Sequence, residues 1–166
     1  MEVINSLLAR SEEKFAFSFD KTELNQTRNL QIATKNIPNT SGLYLVFCNK
    51  KLQNAPEHLV YMINNKDFIL CYFGKAGGTT KNGKTLGQGL NGRINNVVSD
   101  SSLSLKDIKR AKYWNIIMEK YDIESFYVRC VELVEPQIVE DKIYDELNSK
   151  NLKYPLMNKY RGRKKQ

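Results

Sequence analysis

The chain is poor in the residues that usually announce a metal cage or a disulfide scaffold. Its three cysteines, Cys48, Cys71 and Cys130, sit far apart in apolar runs. No C-x-x-C joins them and the count is odd, which excludes a disulfide framework and argues against a thiolate zinc site. The single histidine, His58, cannot complete such a site. The cysteines read as reduced small hydrophobes of a cytoplasmic protein. No secretory leader is expected, because "MEVINSLLARSEEKF" has no apolar segment ahead of a small-residue cleavage site. No apolar run is long enough to span a bilayer. Acidic residues are also scarce, 18 against 26 Lys and Arg, giving a net charge of +8 and a pI of about 9.3. A surface with that balance attracts polyanions, nucleic acid first among them.

What remains is ordinary for one globular domain: 166 residues, 41% apolar and 27% charged, with no internal repeat and no long linker. Residues 1–36 read as an N-terminal extension, with Val3, Leu7 and Leu8 on one helical face and "KFAFSFD" alternating like a short strand. Residues 37–158 form the main domain and 159–166 a basic tail. Within the domain "GLYLVFC" (42–48), "LVYMI", "FILCYFG" (68–74) and "FYVRCVEL" (126–133) read as strands, joined by connections short enough for antiparallel pairing. A helix is expected with Leu90, Ile94, Val97 and Val98 on one side. A second helix, capped at Ser102 to Ser104, runs through "KDIKRAKYWNIIMEKY" with Ile108, Tyr113, Ile116 and Ile117 inward. Pro136 suits the first turn of a third, "QIVEDKIYDELNSK", which buries Val139, Ile143 and Leu147.

The loop "GKAGGTTKNGKT" carries a complete G-x-x-x-x-G-K-T string from Gly78 to Thr85, the pattern that cradles nucleotide phosphates. Its surroundings argue against that use. A nucleotide-binding loop needs a parallel sheet and a second strand ending in a magnesium-binding Asp, and "FYVRCVEL" has none. Gly87 and Gly89 also weaken the helix start that should face the phosphate.

A different constellation fits the order of parts. Gly42-Leu43-Tyr44 and Tyr72-Phe73-Gly74 close or begin strands, Arg93 sits in "LNGRI", Glu140 opens an E-x-x-[LI] helix segment, and Pro155 to Asn158 read P-x-x-N. Over residues 36–158 this resembles the GIY-YIG nuclease family. The resemblance implies an α+β fold with a small, mainly antiparallel three-stranded sheet flanked by helices. It implies a DNA endonuclease of restriction or phage type. Tyr44 would be the general base, Tyr72 would position phosphate or water, and Arg93 with Lys75 or Lys84 would stabilise transition-state charge. Glu140 would hold one Mg²⁺, for which Mn²⁺ can substitute, and Asn158 would lock the local geometry. The residues taken alone also admit blander roles: amphipathic core tyrosines, a surface arginine, a solvated glutamate, with Glu135, Asp141 or Glu146 open as metal ligands.

The family's histidine is missing, its place being taken by Val97, and the gaps from Tyr44 to Tyr72 and from Tyr72 to Arg93 are long. Double-stranded DNA would be held by Lys81, by Lys109 and Arg110 of the middle helix, and by Arg161, Arg163, Lys164 and Lys165 of the tail. A palindromic recognition site would call for a symmetric homodimer. The alternatives are a non-catalytic DNA-binding module on the same fold, motivated by the absent histidine, and an ATP-binding protein built on Gly78 to Thr85.

Overall fold

The run Gly42–Cys48 forms a strand (β2) in which every residue is buried. Such a strand needs cover on both faces, and the architecture supplies it as three layers. The computed structural model describes residues 1–10, 15–49, 54–79, 82–85, 87–159 and 161. In chain order the elements are α1 (Glu2–Arg10), β1 (Ala16–Asp20), α2 (Gln26–Ala33), β2, β3 (Val60–Ile63), β4 (Lys66–Ala76), α3 (Leu90–Ile94), β5 (Val97–Asp100), β6 (Leu105–Lys109), α4 (Arg110–Lys120), β7 (Ser125–Glu132) and α5 (Pro136–Ser149).

The chain is therefore α+β, with an antiparallel sheet in the order β1-β7-β2-β4-β3. The sheet has five strands rather than the expected three. Its middle three, β7, β2 and β4, carry "FYVRCVEL", "GLY" and "YFG", while β1 and β3 add one strand at each edge. β1, which lies in the segment read as an N-terminal extension, pairs along its whole length with β7.

One face of the sheet packs Tyr44, Val46, Cys71 and Val128 against Leu30, Leu90, Ile94 and Trp114 from α2, α3 and α4. The other packs Leu43, Leu45, Phe47, Leu70 and Phe73 against Ile4 and Leu7 of α1 and Ile143, Tyr144 and Leu147 of α5. Glu146 ties these outer helices together by accepting hydrogen bonds from the first amides of α1, Glu2 N at 3.0 Å and Val3 N at 3.4 Å.

The segment after the basic loop departs from expectation. The helix drawn through Val98 stops at Ile94, and Val97–Asp100 pairs instead with Leu105–Lys109 as a separate two-stranded ribbon. The next helix likewise starts at Arg110, not near Ser104. Asn91, Gly92, Asn95 and Asn96 are weak helix formers, and β-branched Val97 and Val98 gain more by pairing with Lys109 and Ile108. The buried stripe of α4 is Arg110, Tyr113, Trp114, Ile117 and Met118, with Ile108 outside the helix and Ile116 only half-buried.

Candidate active site

The two motif glycines are explained by what crowds them. A side chain on Gly42 would put its Cβ 2.1 Å from the Val131 carbonyl oxygen of β7. On Gly74 it would strike the Tyr72 ring at 2.6 Å and lie 3.0 Å from Tyr44. Gly74 thus leaves room for two phenols on one sheet face. Tyr44 faces Gly74 across the β2–β4 ladder, and the Tyr72 ring leans over with its centroid 5.7 Å from that of Tyr44. Tyr72 lines a cleft of about 350 Å³, while Tyr44 is 0% exposed and sits beneath it within hydrogen-bonding reach. The Tyr72 phenol is held well above the ordinary tyrosine pKa, first by Tyr44 and then by burial, against the pull of Arg110.

α5 brings the carboxylate. Glu140 lines the cleft at 4% exposure. Burial raises its pKa, partly offset by Arg161 and Lys75. Arg161 Nη1 donates to Glu140 Oε2 at 3.3 Å, and its guanidinium lies 4.4 Å from the centre of the Tyr144 ring. Lys75, on β4, donates to Gln137 of α5, and Gln137 donates in turn to Asp141 Oδ1 at 2.7 Å. Of the acids left open by the sequence, Glu146 caps α1, Asp141 accepts from Gln137 and Glu135 is exposed, so only Glu140 faces the cleft.

α4 and the ribbon form the opposite wall. Arg110, the first residue of α4, is 5% exposed, lies 5.9 Å from the centre of the Tyr44 ring and lines the cleft. Its Nε is buried with no hydrogen-bond partner among the described residues, and one Nη donates to the Arg93 carbonyl at 3.4 Å. A buried guanidinium with spare donor capacity beside a cleft suits a planar anion such as phosphate. Tyr113, one turn on, donates to Asp100 Oδ2 at 2.8 Å. Asp100 also accepts from the Ser102 amide at 3.0 Å and lies 3.6 Å from the Lys159 ammonium. The Ser102 hydrogen bond leads in holding its pKa down, against burial, and Tyr113 and Lys159 add to it.

Asn158 closes the floor. Its Oδ1 accepts from Phe73 N at 3.0 Å, and its Nδ2 donates to Phe73 O at 2.9 Å and to the Tyr144 hydroxyl at 3.2 Å. Met157 N donates to Cys71 O at 2.9 Å, so the C-terminal segment runs along the stretch of β4 that β3 does not cover.

Tyr72, Glu140, Asn158 and Arg161 therefore meet at one cleft, with Tyr44 behind them and Lys75 near enough to act on Glu140. Arg93 does not join them: it is exposed on the five-residue α3, and the cleft guanidinium from the helical layer is Arg110, expected only as a DNA contact. Lys84 is exposed on the loop beyond the Thr79–Thr85 bridge and does not line the cleft. Lys109 lies in a different depression with Lys112 and Arg28. Lys81, Arg163, Lys164 and Lys165 lie outside the described residues. Asp100, Tyr113, Tyr144 and Lys159 were missed as cleft residues. A signal for the Arg110 and Tyr113 positions did exist, because Arg110, Tyr113, Trp114 and Ile117 fall at i, i+3, i+4 and i+7 of one helix.

The chain matches no family model, no curated protein and no solved structure. Among the described residues no three His, Cys, Asp or Glu side chains gather into a metal cage. Glu140 is still suited to a hard divalent cation of the Mg²⁺ kind, which keeps most of its waters and needs few carboxylates. A cation there would favour the ionised carboxylate that burial disfavours.

Proposed function

We propose that the chain is a divalent-metal-dependent endonuclease of the GIY-YIG kind, hydrolysing phosphodiester bonds of double-stranded DNA, with a restriction or phage enzyme's role. The observation that carries this reading is the meeting of Tyr72, Arg110, Glu140 and Asn158, from four separate segments, at one cleft. In this reading Arg110 replaces Arg93 as the phosphate clamp. Its unpartnered Nε and its Nη groups lie beside the Tyr pair, so the scissile phosphate would be held next to Tyr72. Tyr72, a phenol whose proton is held more firmly than usual by Tyr44 and burial, orients the attacking water. Tyr44 exposes no surface, so a proton bound for it travels through Tyr72 rather than directly from water. Tyr113 occupies the wall one turn after Arg110, where the family's histidine would stand by the same spacing. Glu140 would hold Mg²⁺ or Mn²⁺, whose chemistry there is Lewis-acid stabilisation of charge on phosphate oxygens.

The pairing of Arg161 with Glu140 supports a second reading, a non-cutting DNA-binding module whose carboxylate is already neutralised. Nucleotide binding at Gly78 to Thr85 has little support, since that loop returns on itself at the Thr79–Thr85 bridge and the sheet is antiparallel.

Supercoiled plasmid incubated with the full-length protein, with and without Mg²⁺, separates the two readings. Metal-dependent nicked or linear product, lost in Glu140→Gln while gel-shift binding persists, is expected for the nuclease. Binding without cleavage under Mg²⁺ and Mn²⁺ alike leaves the module.

A further inference from the structure

We propose that Cys48 and Cys71 form a reversible disulfide when the protein meets a hydroperoxide, making this pair a redox modification site. The pair would respond to peroxide whether or not the chain cuts DNA. The two Sγ atoms lie 2.9 Å apart, only about 0.9 Å beyond the roughly 2.04 Å of a disulfide bond. The sequence gives no hint of this, since 22 residues separate them.

The sheet register creates the approach. Val46 pairs with Tyr72 and Phe47 with Leu70, so Cys71 is the extra residue of a β-bulge, and Cys48 pairs with Ile69 two positions away. Both side chains point into the same core face. Closing the bond would ask for a small shift between strands already joined by hydrogen bonds.

Both residues are buried, yet they share the wall of a cavity of about 190 Å³ whose lining also includes exposed Asn54 and Lys153. That cavity is the path a molecule the size of hydrogen peroxide would take to the sulfurs. One thiolate attacks a peroxide oxygen, the O–O bond breaks, and sulfenic acid and hydroxide form, the latter taking a proton to become water. The second thiol sulfur then attacks the sulfenic sulfur: the S–S bond forms, the S–O bond breaks, and hydroxide leaves as water with the second thiol's proton. Two electrons pass from the sulfurs to the peroxide. Cys130 is an internal control, because burial pushes its thiol up to about 12 and it opposes Tyr44 in the ladder, away from the pair.

The test is intact mass and peptide mapping of the full-length protein after excess hydrogen peroxide at neutral pH. The expected result is a loss of about 2 Da, a mapped Cys48–Cys71 link, Cys130 still open to alkylation after unfolding, and full reversal by dithiothreitol. Cys71→Ser should show no such loss of mass. Oxygen adducts on Cys48 or Cys71 without a link, a link through Cys130 or between chains, or no change at all in the wild-type protein would each overturn the proposal, whether or not the variant folds.

Discussion

Arginine 110 and arginine 93 differ in ways that single-residue kinetics can read. Arg110 is buried at the cleft with an Nε that has no partner among the described residues, whereas Arg93 is exposed on a short helix and lends the site only its carbonyl. Removing a donor that meets developing phosphate charge costs on the order of 10²–10³ in kcat. Arg110→Gln is therefore expected to lower cleavage by that much with DNA binding changed far less, and Arg93→Ala to stay within about threefold. Equal losses in the two variants would put the clamp elsewhere. Glu140 gives a test that needs no substrate. Burial raises its folded-state pKa, so the fold prefers the neutral acid. Folding is then opposed as pH rises from the unfolded value through the folded one, and the cost is complete at neutral pH. Glu140→Gln should melt higher than wild type at pH 7.5, by up to about 2–4 °C, and the gap should close in acid below both values. A lower melting point at pH 7.5 would mean that the Arg161 and Lys75 attractions outweigh burial.

At the scale of elements, the strands were legible and the cleft wall between them was not. The fully apolar "GLYLVFC" and the alternating "FYVRCVEL" declare buried strands by composition alone, and both stand where read. The sequence singles out Tyr44, Tyr72, Glu140 and Asn158 only through the order of G-L-Y, Y-F-G, E-x-x-I and P-x-x-N along the chain, and the fold brings three of them to one cleft with Tyr44 against Tyr72. The ribbon was not, because Val97 and Val98 fall at helix spacing from Ile94 and only their partners, Lys109 and Ile108, decide the matter. That missed turn displaced Arg110 from the wall it forms. Asp100, the last residue of β5, ties the ribbon to α4 through Tyr113, to its own turn through Ser102 and to the C-terminal segment through Lys159. Asp100→Ala should cost about 1–3 kcal/mol at neutral pH, since it leaves the buried Tyr113 hydroxyl without its acceptor. The Asp100 pKa is depressed, so its stabilisation is present above the unfolded value and is lost as pH falls through the folded one. Urea melts of wild type and variant should differ most at pH 7 and by less in strong acid, where the charge is gone but the neutral carboxyl still accepts from Tyr113. A gap of the same size in acid would show that the hydrogen bonds alone, not the charge, hold the ribbon.

For the whole molecule, the excess of positive charge matters only where it is not already answered. Lys21 lies 3.1 Å from Glu119 and 3.9 Å from Glu124, so its charge is largely met within the fold. Lys159 and Arg161 each face a carboxylate too, but both line the cleft together with Arg110. A DNA backbone entering the cleft would exchange those internal pairs for phosphate contacts and release counterions. Binding should then weaken linearly in log–log terms with salt, with a slope of about −0.9 per phosphate neutralised. Lys159→Ala is expected to make that slope shallower by about 1, while Lys21→Ala leaves it unchanged. Duplex-binding isotherms across a salt series measure both. If the two variants shift the slope alike, the polyanion follows total charge over the surface and the cleft is not its seat.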